Sequence, residues 1–186
     1  MNKCLYKHNW LSVHETKRGF IYAQRRTINS TATLLYAKKG KQTMFLLRYQ
    51  PLPALIENSR KARFSKLYPC CVTGSIEKNE SPLQNAIKEV FEETNYVIKK
   101  SDIKMMNRNV ASTQMNEMVY VFIADITKAR FVKKRTGDGT IFESLSKNKW
   151  ISEKQMINIL KENKTIYLSS LACAYYLYKM FNKNNI

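Results

Sequence analysis

Acid is scarce in this chain. Of its 186 residues only 14 are Asp or Glu, against 32 Lys and Arg, which leaves a formal net charge of +18. Cysteine and histidine are scarce too. Cys4, Cys70, Cys71 and Cys173 match no paired CxxC zinc pattern, and the adjacent Cys70 and Cys71 are poor disulfide partners, so the four are read as small buried hydrophobes of a reducing compartment. His8 and His14 are too isolated to form a ligand set. The longest apolar runs, MFLL at 44–47 and VYVFIA at 119–124, fall far short of the roughly 20 residues a bilayer requires. The first dozen residues contain no apolar core of a secretory signal. No linker-like stretch and no internal repeat interrupts the chain. These absences point to a single cytoplasmic domain with no membrane span.

With 44% hydrophobic and 25% charged residues, the composition is that of a globular protein, and the length suffices for a substantial core. A charge of +18 raises encounter rates with polyanions such as nucleotides, RNA or acidic surfaces. The lysines are scattered, often beside Asn, so a usage bias and a selected anionic partner both account for the total.

Strands are expected at 19–26, 31–39, 43–50 and 67–73, which are rich in β-branched, aromatic and leucine residues. Gly40 marks the turn between the second and third, and 51–66, which opens with two prolines, reads as a loop. The clearest helix is 82–95. Ser81 suits its N-cap, Pro82 the first helical position, Gln84 a capping box, and Asn95 a left-handed C-terminus. Strands near 103–112 and 118–126 follow, then an extended stretch reaching Trp150. Helices at 152–162 and 166–182 close the chain, the last with Leu168, Leu171, Ala172, Tyr175 and Tyr176 at core spacing. This order predicts an α+β fold: an N-terminal strand region over about 1–30, a core over about 31–160 and a C-terminal helix over about 166–182.

Within the first helix the scarce acids are concentrated. At about 100° per residue, with Glu89 at zero, Glu92 falls near 300° and Glu93 near 40°. Leu83, Ile87, Val90 and Phe91 cluster between about 100° and 200°, giving a buried stripe nearly opposite three carboxylates. Like charges at this spacing repel by a few tenths of a kcal/mol per pair. A solvated face paired with lysines would tolerate that. A hard divalent cation, Mg2+ or Mn2+, would cancel it, leaving coordination positions for water and substrate phosphates.

The longer pattern runs Gly74, five residues, Glu80, seven residues, then Lys88-Glu89-Val90-Phe91-Glu92-Glu93-Thr94-Asn95-Tyr96. It resembles the box of the Nudix hydrolases, with Gly74, Glu80, Glu89, Val90, Glu92 and Glu93 in register. Lys88 stands where the family has Arg, Asn95 where it has Gly, and Tyr96 where it has an aliphatic residue. The resemblance implies an α/β/α sandwich on a mixed sheet and hydrolysis of a phosphoanhydride. It implies metal ligation by Glu92, Glu93, Glu89 and the Thr73 carbonyl, with Glu89 as a further candidate base, Lys88 orienting it, and Glu80 supporting the metals indirectly. A carboxylate outside the box is expected, Glu117 first, with Glu143 and Asp138 behind it.

Arg48-Tyr-Gln-Pro51 is similar to the Arg-Gln-Tyr-Arg-Pro region of ADP-ribose pyrophosphatases, which makes Arg48, with Gly74, a candidate substrate contact. The stretch from Ser112 to Glu117 resembles another of that subgroup, except that Thr113 occupies the place of its marker proline. The substrate classes implied are a nucleotide-sugar such as ADP-ribose, a nucleoside triphosphate and an RNA 5′ end. A non-catalytic nucleotide- or RNA-binding module on the same scaffold is the alternative, and the N-terminal strands leave room for a homodimer as in some relatives.

Overall fold

The computed structural model describes residues 2–55, 66–133, 144–162 and 164–183. Twelve strands and three longer helices are found among them. β1 (Lys3–Lys7), β2 (Leu11–Glu15) and β3 (Ile21–Arg25) form a small antiparallel sheet. β4 (Ser30–Lys39), β5 (Gln42–Pro51), β6 (Leu67–Cys70), β7 (Val72–Ser75), β9 (Ile103–Val110), β10 (Met118–Asp125) and β12 (Lys147–Ser152) make the central seven-stranded sheet. Its order is β12-β5-β4-β10-β9, with β6 on β5 and β7 on β4. The β4–β10 pair is parallel and the others antiparallel, so the sheet is mixed. β8 (Tyr96–Val97) and β11 (Arg130–Phe131) pair separately.

Strand alternation sends side chains to both faces of the central sheet. Leu34 and Tyr36 of β4, Phe45 and Leu47 of β5, and Val121 and Ile123 of β10 pack on one face. They meet Met156 of α2 (Glu153–Lys161) and Leu171, Ala174 and Leu177 of α3 (Ser169–Lys183). Leu35, Ala37 and Leu46 point the other way and pack with Val90 of α1 (Pro82–Thr94). Helices on both faces of a mixed sheet make the expected α/β/α sandwich.

The helix α1 follows its sequence signals at both ends. The Ser81 hydroxyl accepts from the Gln84 amide while the Gln84 side chain accepts from the Ser81 amide. Asn95 ends the helix at φ 63° and donates its N–H to the Phe91 carbonyl, 2.9 Å away. Its buried face departs from expectation, however. Asn85, Ala86, Val90 and Thr94 are buried, while Leu83, Ile87 and Phe91 are half-buried. The segment expected as one strand at 67–73 is two, broken at Cys71, and the last helix starts at Ser169. On that helix Tyr178 is buried and Tyr176 is exposed, because the stripe facing the sheet runs through Leu171, Ala174 and Tyr178. Cys70 and Cys71 are buried as expected, but Cys4 and Cys173 are exposed, lying on the solvent sides of β1 and α3. Among the described residues no helix is long and apolar enough to cross a membrane.

Candidate active site

The box folds as strand, loop and helix: β7 carries Thr73 and Gly74, and α1 carries Glu89, Glu92 and Glu93. The glycine is sterically required, since a Cβ on Gly74 would overlap the Glu89 side chain. Glu89 therefore lies against the β7 backbone. Burial is the main cause that raises its carboxyl to a pKa of about 7; Lys88 opposes this, whereas the neighbouring Glu92 and Glu80 charges add to it. Lys88 Nζ stands 3.6 Å from Glu80 Oε1 and 3.9 Å from Glu89 Oε1, bridging two acids of the box.

Glu93 is gripped from several sides. Arg48 Nε lies 3.1 Å from Glu93 Oε1, an ion-pair contact in which the N–H is not aligned for a hydrogen bond. The Thr73 N–H donates to Glu93 Oε2 at 3.3 Å. Arg48 Nη1 and Asn148 Nδ2 donate to the Glu93 carbonyl at 3.3 and 2.7 Å. This last pair satisfies a carbonyl that the end of α1 would otherwise leave without a partner. Arg48 and Asn148 face each other in the β5–β12 register, which explains their shared grip. Arg48, expected at the substrate, is buried behind the acid instead.

A residue without a sequence signal organises the other end of the box. Asn85 is fully buried in α1, at about 320° on the wheel, between Glu92 and Glu89. Its Oδ1 accepts from Thr31 Oγ1 at 2.6 Å. Its Nδ2 donates to the Ser75 carbonyl at 2.9 Å, to Glu80 Oε2 at 2.8 Å and, more weakly, to Glu89 Oε1 at 3.4 Å. Burial works against ionisation of Glu80, but the Asn85 and Glu77 hydrogen bonds and the Lys88 charge outweigh it and hold its carboxyl below the ordinary value.

Glu117 sits just before β10 and is buried. Its Oε1 accepts from Ser30 Oγ at 2.6 Å and pairs with Arg25 Nη1 at 2.9 Å. Arg25 Nη2 donates to Ser75 Oγ at 2.7 Å, so one guanidinium of β3 ties Glu117 to the box. Glu117 Oε2 has no hydrogen bond among the described residues. Nothing in the sequence spacing relates Arg25, Ser75 and Glu117; only the docking of the small sheet, through the Ala23 N–H and the Gln114 carbonyl, brings them together.

These groups surround a cleft of about 630 Å3 whose lining includes Thr73, Gly74, Lys88, Glu89, Glu93 and Glu117. Glu92 does not line it and is exposed on the adjoining side of α1. Arg48 does not line it either. Asp138 and Glu143 lie outside the described residues.

The donors suit a hard divalent cation: the carboxylates of Glu89, Glu93 and Glu117 line one cleft together with Thr73. As placed, no three His, Cys, Asp or Glu side chains among the described residues converge as a cluster, because Glu93 is turned onto Arg48 and Thr73.

No curated protein matches the chain in sequence. In structure it is similar to the crystal structure of an ADP compounds hydrolase, with a TM-score of 0.65 and 12% identity, covering 100% of this chain and 93% of that one. At that identity the likeness is one of fold. A family model described as NUDIX domain matches residues 26–169, more than three-quarters of the sequence and all of the box. The chain belongs to the Nudix hydrolase family.

Proposed function

We propose that the cleft hydrolyses the phosphoanhydride bond of a nucleoside diphosphate joined to another group, a nucleotide-sugar such as ADP-ribose being favoured, with Mg2+ or Mn2+ as cofactor. The observation that carries this is the meeting of Glu89 and Glu93 with Glu117 around one cleft, in a chain with only 14 acidic residues. Glu89, Glu93 and the Thr73 carbonyl would hold the cation, with Glu92 reaching in from the exposed side of α1. When bound, such an ion lowers the pKa of a coordinated water and offsets charge on the phosphates.

The chain's own residues do the rest. Glu117, a lining residue of the cleft, takes the proton of the attacking water on Oε2 while Arg25 and Ser30 fix Oε1. Glu89 is the alternative acceptor where it does not itself ligate the cation. Lys88 orients Glu89 through its two ion pairs, and Gly74, a lining residue of the cleft and the remaining candidate substrate contact, leaves the space that the Glu89 side chain fills against β7. Arg48 acts through Glu93 and not on the substrate. The positive charge would favour anionic substrates, and it supports a second reading in which a nucleoside triphosphate or an RNA 5′ end is taken instead. The exposed Leu5, Tyr6 and Trp10 of the small sheet support a homodimer, and a cytoplasmic location fits the exposed free cysteines.

A screen of ADP-ribose, other nucleotide-sugars, triphosphates and capped RNA with added Mg2+ tests the reading. Turnover of one class is expected, with Glu93→Gln lowering kcat by at least about a hundredfold, the scale of losing a group that stabilises developing charge. Undiminished binding with no turnover of any substrate would instead establish a non-catalytic module.

A further inference from the structure

The helix α3 begins at the cleft. Ser169 and Ser170, its first two residues, line it, as does Leu168 just before them. The first amides of a helix have no intrahelical acceptor, and they are ordinarily capped by a Ser, Thr, Asp or Asn side chain. Here the preceding residue is Leu168, which has no side-chain acceptor. The Leu171 N–H reaches the Leu168 carbonyl at 2.9 Å. Neither the Ser169 nor the Ser170 N–H has an acceptor among the described residues. Other helices of the same chain are capped: Ser81 serves α1 and Ser152 serves α2, each through a capping box.

A second, independent observation lies in the Ser170 side chain. Ser170 is only 7% exposed and lines the cleft, yet its hydroxyl makes no hydrogen bond among the described residues. Its carbonyl is held by Cys71 Sγ at 3.9 Å, so the residue is fixed against the strand region that leads to Thr73. A hydroxyl held in place at the cleft wall without a protein partner is free to donate to a ligand oxygen. Two free amides, a hydroxyl and the positive end of a fifteen-residue helix together describe an oxyanion cradle. No acid sits in the first turn of α3 to occupy it internally. α1 and α3 flank opposite faces of the sheet, so the carboxylates and this cradle approach the cleft from different sides.

We propose that the N-terminus of α3 is an anion subsite that takes a phosphoryl group of the substrate, held by the Ser169 and Ser170 amides and the Ser170 hydroxyl. The proposal rests on the hydrolase reading for the identity of the ligand as substrate, but its physical test does not. Inorganic phosphate titrated into the 15N-labelled full chain without divalent metal should shift the Ser169 and Ser170 amide resonances. Ser170→Ala should weaken that binding about fivefold, the effect of one hydrogen bond. Ser169→Asp should abolish it by placing a carboxylate in the cradle, and the helix gains a favourable acid in its first turn. Amides that do not move, or equal affinity in Ser169→Asp and the parent, overturn the subsite.

The source of the phosphoryl group is separated by KM. In Ser169→Asp a rise for both ADP-ribose and ATP assigns the cradle to the diphosphate common to them, and a rise for ATP alone assigns it to a third phosphoryl group. Unchanged KM for both, with phosphate binding lost, limits the site to free phosphate and overturns the substrate role. No turnover of any substrate, together with serine-dependent shifts, defeats the hydrolase reading and leaves the subsite standing. Turnover lost in Glu93→Gln with no amide shift defeats the subsite alone.

Discussion

Glu89 shows how one side chain can be placed at a cost to the fold. Its carboxyl is pressed against the β7 backbone at Gly74 and raised to about 7, chiefly by burial. A raised folded-state value means that the native protein holds this proton more tightly than the unfolded chain does. The associated stability is present in full below the ordinary carboxyl value of 4.5 and is lost as pH rises toward about 7. In metal-free buffer, urea unfolding of the parent and of Glu89→Gln should therefore diverge across that window, with the parent losing stability relative to the variant as pH increases. A difference that stays flat over the window would show that Glu89 is not held in this way. Added Mg2+ should reverse the loss for the parent alone, since a bound cation stabilises the ionised form.

At the scale of elements, α1 was readable because its signals are local. Ser81, Pro82, Gln84 and Asn95 act on backbone groups within four residues of themselves, and the structure shows each of them doing so. Ser81→Ala should cost about 1 kcal/mol in chemical denaturation, the usual effect of removing such a cap. The register of Glu89 and Glu93 toward one cleft was equally legible, for helical periodicity alone puts them on one side. The same wheel placed Asn85 on the acidic arc, but apolar pattern could not show that a polar residue there is buried. Its partners Thr31, Ser75 and Glu80 lie on three other segments. Arg48 fails to reach the cleft for a comparable reason: β12 delivers Asn148 beside it, and both close on the end of α1. β1 and β2 fall in the expected N-terminal strand region but have no legible bounds there, because β1 is exposed along its whole length and β2 is at most half-buried, leaving little hydrophobic alternation to read. Long-range polar partnerships leave no periodicity in the chain.

For the whole molecule, the charge of +18 is a field and not a contact. The basic residues lie on many elements, among them the β4–β5 hairpin at Lys38, Lys39 and Lys41 and the strand β12 at Lys147 and Lys149. Such a field speeds capture of anions at low ionic strength and is screened over about 10 Å at 0.1 M salt. Raising KCl should therefore lower kcat/KM for an anionic substrate several-fold and leave kcat nearly unchanged. A fall in kcat of the same size would place the salt effect in the cleft itself.

The match to the Nudix family begins at residue 26. Arg25, whose guanidinium joins Ser75 to Glu117, lies one position outside it. The stretch recognisable by descent and the stretch that is electrically self-sufficient therefore have different borders. A protein trimmed to the recognisable part would keep every carboxylate of the box and leave Glu117 its serine hydroxyl but no guanidinium. Swapping such domains between relatives at the border of resemblance would carry over the acids without the cation that makes one of them tolerable.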